Sequence, residues 1–152
     1  MALYLVQHGA AFAKHEDRLR GLTPEGRSDV ERIAHVASGY GVRVSRILHS
    51  GKTRARQTAE IFAAALKPER GVQERADMGP NAVVTDFPVP ESHENTMLVG
   101  HLPFLGRLAS HLVAGDPNHP LFVFQNGGIV CLGRIPDVPH WVIRWSLSPE
   151  IG

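Results

Sequence analysis

The sequence predicts an α/β fold, a three-layer α/β/α sandwich built on a mainly parallel sheet, and three observations lead to it. Short apolar runs that suit buried strands are followed three times by segments with helical periodicity, the order expected of a parallel sheet with helices on its faces. Each of these runs ends in polar residues. The end of the chain carries three further β-prone runs with no helix between them, which predicts an antiparallel edge.

The first half of the chain contains two strand–helix units. They are a strand at 2–7, a helix from Thr23-Pro24 to Gly39, a strand at 44–48 and a helix at about 52–66. Thr23 marks the start of the first helix because its side-chain oxygen accepts from a free backbone N–H, and Pro24 fits the first helical position. Apolar residues then recur at helical spacing until the glycines stop the pattern.

The second half is less regular at its start, because residues 71–95 contain three prolines and little periodicity. The predicted elements are a short strand near Val72, a helical turn around Asn81–Asp86, a strand at Thr96–Gly100, a helix from Leu105 to Gly115, and strands at Leu121–Phe124, Ile129–Ile135 and Trp141–Ser146. The turn sequence Asn126-Gly127-Gly128 predicts a hairpin between the first two of the last three strands.

Length and composition suit one domain, residues 1–152, with 43% hydrophobic residues and a formal net charge of +1. The balanced charge argues against a nucleic-acid binder, and the apolar runs are too short to span a membrane. A single cysteine, Cys131, neither staples a fold nor ligates a metal alone, and the histidines lack metal-ligand spacing. We therefore expect a cytoplasmic protein without metal or cofactor, and its oligomeric state is left open.

The candidate site follows from the ends of the strands. In a parallel sheet the ligand crevice lies beyond the carboxyl ends of the strands, where this chain carries His8, His49-Ser50 and His101. The second helix begins with Lys52, Arg54 and Arg56, and helix N-termini favour anions. These groups together predict a phosphate site.

Four ordered motifs cover essentially the whole chain. They are Leu5-Val6-Gln7-His8-Gly9, Arg20-Gly21-Leu22-Thr23-Pro24-Glu25-Gly26, Ser50-Gly51-Lys52-Thr53-Arg54-Ala55-Arg56-Gln57-Thr58 and Val99-Gly100-His101-Leu102-Pro103. Together they resemble the histidine phosphatase (phosphoglycerate mutase-like) superfamily, and within it the small SixA-type phosphohistidine phosphatases.

The resemblance implies catalytic roles for His8, Arg54 and His101. His8 is the expected nucleophile, which carries the phosphoryl group until water removes it. It must be neutral to attack, so its other ring nitrogen should donate its proton to a backbone carbonyl. Activity should fall in acid near the ordinary imidazole pKa of about 6.5, unless the pocket shifts that pKa. Arg54 is expected to bind two phosphate oxygens, and His101 to stabilise charge in the transition state.

Gln7 departs from the family pattern, in which an arginine precedes the nucleophilic histidine. A neutral amide donates hydrogen bonds without charge, and losing one transition-state donor typically costs about 10²–10³ in rate. Arg20 is expected to supply charge from across the pocket. The predicted phosphate-binding residues are thus Gln7, Gly9, Arg20 and Ser50.

A general acid is hard to assign, with Glu74 and Asp77 the only candidates. Phosphohistidine has less need of one because its imidazole leaving group takes up a proton itself. We therefore expect a phosphohistidine-bearing protein, or a small phosphorylated ligand, as partner. Two alternatives stay open, a non-catalytic phosphoryl-binding module and a small-molecule phosphomonoesterase.

Overall fold

The computed structural model describes residues 1–150, and it confirms the predicted three-layer α/β fold. The strands are β1 (Leu3–Gln7), β2 (Arg46–His49), β3 (Val72–Glu74), β4 (Thr96–Gly100), β5 (Ile129–Gly133) and β6 (Val142–Leu147). The helices are α1 (Pro24–Gly39), α2 (Thr53–Leu66) and α3 (Phe104–Ala114). Among the helices of residues 1–150, none has the length and apolar character needed to cross a bilayer.

The strands form one sheet in the order β3-β2-β4-β1-β5-β6. The β3–β2, β2–β4 and β4–β1 pairs are parallel, whereas β5 runs antiparallel to both β1 and β6. The sheet is therefore mainly parallel with an antiparallel edge, as predicted. The register aligns Gln7 with Gly100 and His49 with Val99, so the carboxyl ends of β1, β2 and β4 meet at one edge.

Helices cover both faces of the sheet because successive strand residues point to opposite sides. On β1, Tyr4 and Val6 pack in the core cluster that contains α1 and α2 residues. Leu3 and Leu5 belong to the second cluster, with α3 residues such as Leu108. Two helices thus lie on one face and one helix on the other, which gives the three layers.

The start of α1 is locked against the loop that follows β1. Thr23 Oγ1 accepts from the Gly26 N–H at 3.0 Å and Pro24 occupies the first turn, as the sequence predicts. A Cβ on Gly26 would overlap the Ala10 backbone, and one on Gly9 would lie 2.7 Å from Val30 Cγ2. The two glycines therefore let the helix approach the loop closely, and this contact fixes the loop that begins with His8.

The predicted strand at Leu121–Phe124 is wrong, as is the hairpin around Asn126-Gly127-Gly128. The hairpin of the sheet joins β5 to β6, while Leu121–Phe124 joins no strand of the described chain. The reason is topological, because β5 already has β1 on one side and β6 on the other. The glycine turn instead leads into β5, and the Gly127 N–H donates to Gln7 O at 2.9 Å.

The helical turn predicted around Asn81–Asp86 is also wrong. Single 3₁₀ turns lie on either side of it, at Ala76–Met78 and Ser92–Glu94. The segment between them turns so that Val84 and Phe87 are buried against the α3 face of the sheet. The Phe87 N–H donates to the Val84 carbonyl at 3.2 Å, so the segment holds an isolated turn at Val84–Phe87 and no helix. Burial of two side chains three apart explains the helical signal.

A bulge interrupts the pairing of the edge strand β6. Cys131 pairs with Trp145 while the next residue of β5, Leu132, pairs with Ile143, which leaves Arg144 as the extra residue. The Arg144 side chain lies over Gly133, where a Cβ would collide with it. The bulge therefore needs a residue without a side chain on the neighbouring strand.

Candidate active site

Three strand ends and one helix start bring the candidate residues together. His8 and His101 directly follow β1 and β4, and the His8 N–H donates to Gly100 O at 3.0 Å. Their rings lie 5.1 Å apart between centroids. Ser50 follows β2, and Arg54 lies in the first turn of α2. The predicted convergence of these four residues on one edge of the sheet is therefore observed.

The His8 ring is held in one tautomer by its surroundings. Its Nδ1 lies 2.7 Å from the Gly9 carbonyl oxygen, so Nδ1 carries the proton and donates it. Arg54 Nε donates to His8 Nε2 at 3.3 Å, which requires a lone pair on that nitrogen. His8 Nε2 is thus unprotonated and faces the guanidinium.

Thr58, to which the sequence analysis assigns no role, connects the His8 loop to α2. Its Oγ1 accepts from the Gly9 N–H at 2.9 Å and donates to the Arg54 carbonyl at 2.8 Å, and the side chain is fully buried. Gln57 makes a second link by accepting from the Leu22 N–H at 2.8 Å. The signal was helical spacing, because Thr58 lies one turn after Arg54 on the same face.

His101 is buried, with 2% of its surface exposed, and it faces Ser50. Ser50 Oγ lies 2.6 Å from His101 Nε2. Within residues 1–150 the buried Nδ1 of His101 has no hydrogen-bond partner. Ser50 lies two residues before Lys52, the N-cap residue of α2. Its hydroxyl therefore bonds to the histidine and does not occupy the capping position of the helix.

Burial and positive neighbours keep both histidines neutral. Burial lowers the pKa of His8 to about 4; the bond to Gly9 opposes this, and Arg54 and Arg20 add to it. Burial, with His8 and the nearby cations, lowers the pKa of His101 to about 3. The expected acid limit near pH 6.5 is therefore corrected to a lower value. Burial and Arg20 also lower the pKa of the Arg54 guanidinium.

Arg20 brings positive charge to the site from the loop before α1. It adopts a left-handed backbone conformation with φ of 53°, and its Nε donates to the Phe12 carbonyl at 3.1 Å. Asp17 braces the turn by accepting from the Gly21 N–H at 2.8 Å. The guanidinium contributes to the lowered pKa values of His8, Arg54 and His101, so it lies within electrostatic reach of all three.

Gln7 stands beside His8 but is not bonded to the other candidate residues. Its Oε1 is buried, and the described part of the chain offers it no hydrogen-bond partner. The side chain lines a cavity of about 370 Å³ together with Ala10, Phe124 and Asn126 among others. Asn126 Nδ2 donates to the His8 carbonyl at 3.0 Å, so this cavity adjoins the loop that begins with His8.

Neither carboxylate considered as a general acid is bonded to the two histidines within residues 1–150. Arg75 holds Asp77 through two hydrogen bonds of 2.7 and 3.0 Å. Glu74 lies against Gly51, where a Cβ would overlap its carboxylate. Neither bonds to His8 or His101 in residues 1–150. His49 turns its Nδ1 to the Gly51 N–H at 3.0 Å, away from the crevice.

These features place two histidines and two arginines at one edge of an α/β sheet, and comparison with known proteins assigns the class. A model of the histidine phosphatase superfamily (branch 1) matches residues 3–78, which include His8 and Arg54. The chain belongs to the histidine phosphatase superfamily. This membership supports a phosphatase activity for the chain.

Individual relatives narrow the resemblance to SixA-like proteins. An uncharacterized protein of Picosynechococcus sp. is 34% identical over 140 residues, covering 87% of this chain and 84% of that protein. The phosphohistidine phosphatase SixA of Escherichia coli is 26% identical over 98% of this chain and 94% of its own length. The structure of the protein histidine phosphatase SixA complexed with tungstate superimposes with a TM-score of 0.78 at 23% identity, covering 98% of this chain and 97% of the other.

Proposed function

We propose that this chain is a phosphohistidine phosphatase that carries the phosphoryl group on His8. The observation that supports it most is the state of that ring. Its Nδ1–H is committed to the Gly9 carbonyl, so Nε2 presents a lone pair to the crevice. The low pKa of His8, about 4, keeps this lone pair available at neutral pH.

The first step forms a bond between His8 Nε2 and phosphorus while the phosphorus–nitrogen bond of the substrate breaks. The electron pair of that bond returns to the leaving imidazole, whose other nitrogen carries a proton, so it departs neutral. Phospho-His8 then carries a positive ring that the Gly9 carbonyl stabilises. In the second step water attacks phosphorus, the electron pair of the phosphorus–nitrogen bond returns to Nε2, and both water protons stay on the product, which leaves as dihydrogen phosphate.

The neighbouring residues bind and orient the phosphoryl oxygens. Arg54 moves its donors from His8 Nε2 to two phosphoryl oxygens, because a guanidinium fork prefers an anion to a neutral imidazole. Ser50 and His101, 2.6 Å apart, offer an O–H and an N–H donor. Arg20 adds positive charge, and Gly9 allows the substrate a close approach. Stabilising the oxygens is most of what this reaction requires.

The surroundings of the site favour a phosphoramidate over a phosphate ester. An alkoxide leaving group needs a proton donor; Asp77 is held by Arg75, and Glu74 bonds to neither histidine within residues 1–150. A phosphorylated imidazole needs none. This argument places a small-molecule phosphomonoesterase behind a phosphohistidine phosphatase.

Gln7 supports a second candidate, a phosphoryl-binding module without turnover. Its buried Oε1 has no partner in residues 1–150, and its neutral amide brings no positive charge to a phosphoryl group on His8. Such a module would bind phosphate through Arg54, Arg20 and Ser50 but would form no covalent intermediate.

Phosphate release from a histidine-phosphorylated peptide separates the candidates. The reaction is stopped with base, because the phosphorus–nitrogen bond is labile in acid, and His8→Ala is compared with the wild-type protein. We expect turnover in the wild type and a loss of at least about 10³-fold in the variant, as for other nucleophile deletions. A base-stable, acid-labile phosphoryl group on the wild-type chain alone would identify the intermediate. Phosphate binding without turnover would instead establish the module.

A further inference from the structure

The segment Leu121–Phe124 has the features of a β-strand without a neighbour. The chain runs from 120 to 125 without a turn or a bend. Phe122 and Phe124 point inward, with their rings 5.1 Å apart, and Phe124 is 8% exposed. Leu121 and Val123 point outward, with exposures of 37% and 86%. This alternation with a period of two is that of a strand with one buried face.

Within the described part of the chain, the backbone of this segment is not paired. Within residues 1–150, the backbone groups of Leu121–Phe124 take part in no hydrogen bond. The nearby strand β5 cannot serve them, because β1 and β6 occupy both its edges. The residue types, two phenylalanines, a valine and a leucine, favour strands. The segment thus offers backbone donors and acceptors that another extended chain can satisfy.

The segment also lies near residues that adjoin the candidate active site. It lines a cavity of about 450 Å³ together with Leu102, Pro103 and Arg107 among others, and Leu102 is the residue after His101. Phe124 is shared between this cavity and the one that contains Gln7. The segment therefore lies along cavities that border the residues next to His101 and His8.

We propose that Leu121–Phe124 is a docking strand for an extended segment of the polypeptide that carries the phosphohistidine. This inference rests on the proposed phosphatase function and names how its substrate is held. The substrate backbone pairs with the backbone of the docking strand, and apolar side chains beside the phosphohistidine pack on Leu102 and Val123. Arg107 places a positive charge on the cavity wall, which favours an acidic residue in the bound segment.

A polypeptide fits these features better than a small apolar phosphate ester does. An acyl or prenyl chain would use the exposed leucine and valine but would leave the unpaired backbone groups unanswered. Alternating N–H and C=O groups are satisfied by another backbone in extended form, at the spacing that strands share. The docking strand therefore selects for backbone as well as for apolar side chains.

The test compares substrates that differ only in their backbone. The substrates are free phosphohistidine, a decapeptide with a central phosphohistidine flanked by leucines, and two forms of this peptide that are N-methylated at opposite alternating sets of residues. Only one alternating set of N–H groups faces a neighbouring strand. We expect the plain peptide to exceed free phosphohistidine about tenfold in kcat/KM, and one methylated form to lose this gain while the other keeps it.

Protein variants repeat the test from the other side. Val123→Pro removes one backbone donor, and its matched control Val123→Thr keeps the donor and the β propensity while removing apolar surface. Val123→Pro should lower kcat/KM severalfold for the peptide and leave it unchanged for free phosphohistidine. Tyr40→Asp, an exposed position at the end of α1, should change neither.

The outcomes separate this inference from the proposed function. If the wild-type protein hydrolyses free phosphohistidine but treats both methylated peptides like the plain one, the docking strand is wrong and the phosphatase proposal stands. If it hydrolyses none of the substrates, the phosphatase proposal itself fails. The methylated peptides need no change in the protein, so the test holds even if Val123→Pro does not fold.

Discussion

His8 and Gln7 are neighbours in sequence, yet the structure treats their side chains in opposite ways. Both ring nitrogens of His8 are hydrogen-bonded, and its loop is tied to α2 through Thr58. The buried Oε1 of Gln7 has no partner in the described residues. The pocket thus provides hydrogen-bond partners for His8, which matches the family pattern. It provides none for the side-chain oxygen of Gln7, which departs from that pattern. The four predictions below test this contrast.

The largest effect is expected when His8 loses the guanidinium of Arg54. Arg54→Ala removes the donor that faces His8 Nε2, and removal of such a transition-state donor typically costs about 10²–10³ in kcat. Arg56→Ala is the matched control, since this exposed arginine pairs with Glu60 on the outside of the same helix. Steady-state phosphate release measures both. Equal losses in the two variants would contradict the assignment of Arg54.

Acid should destabilise the folded protein through the two buried imidazoles. Above about pH 6.5 they are neutral in the folded and unfolded chain alike. Below it the unfolded chain binds protons that the folded chain accepts only near pH 4 for His8 and pH 3 for His101, so stability falls as pH falls through this window. At pH 5 the loss amounts to about 2 kcal/mol per imidazole.

Urea unfolding at pH 7.5 and pH 5 measures this loss. His101→Asn should remove about half of it, because one of the two imidazoles is then absent. Nuclear magnetic resonance of the ring protons gives a direct check, with no titration of His8 or His101 expected above about pH 5. A midpoint near 6.5 for either ring would show that it is solvated rather than buried.

Introducing a positive charge at position 7 should raise the phosphatase activity. Gln7→Arg replaces a neutral amide, whose oxygen has no partner in residues 1–150, with a guanidinium. Charge-assisted hydrogen bonds are roughly twice as strong as neutral ones. We expect an increase of about tenfold in kcat/KM on a phosphohistidine peptide. Gln73→Arg adds the same charge on exposed β3 and should have no effect. A loss of activity in Gln7→Arg would show that the amide serves this site better than the family residue.

The smallest effect is expected from removing the hydrogen bonds by which Thr58 links the His8 loop to α2. Thr58→Val leaves the buried Gly9 N–H without an acceptor, which costs about 1–3 kcal/mol of stability. Because Thr58 also bonds the Arg54 carbonyl, kcat should fall severalfold with little change in KM. Thr58→Ser keeps the hydroxyl and should restore kcat. A variant that loses stability but keeps kcat would limit Thr58 to a structural role.

The sequence predicts the parallel core and the meeting of His8, Arg54 and His101 because these depend on local patterns and on a general rule about strand ends. Leu121–Phe124 shows where such reasoning stops. Its residues favour a strand, but whether a strand forms depends on a free edge, which is set by β1 and β6 far away in sequence. The Ser50–His101 contact and the depth of burial that lowers the histidine pKa values depend on tertiary structure in the same way.

The bulge at Arg144 has a consequence for how this protein behaves at high concentration. An edge strand with a regular row of free backbone groups invites a second molecule to extend the sheet, and bulges and charged side chains are the usual defences. β6 has both, because the extra residue breaks the register and is itself an arginine. Edge-to-edge pairing between molecules is thereby blocked at β6. The strand at the opposite edge, β3, is only three residues long.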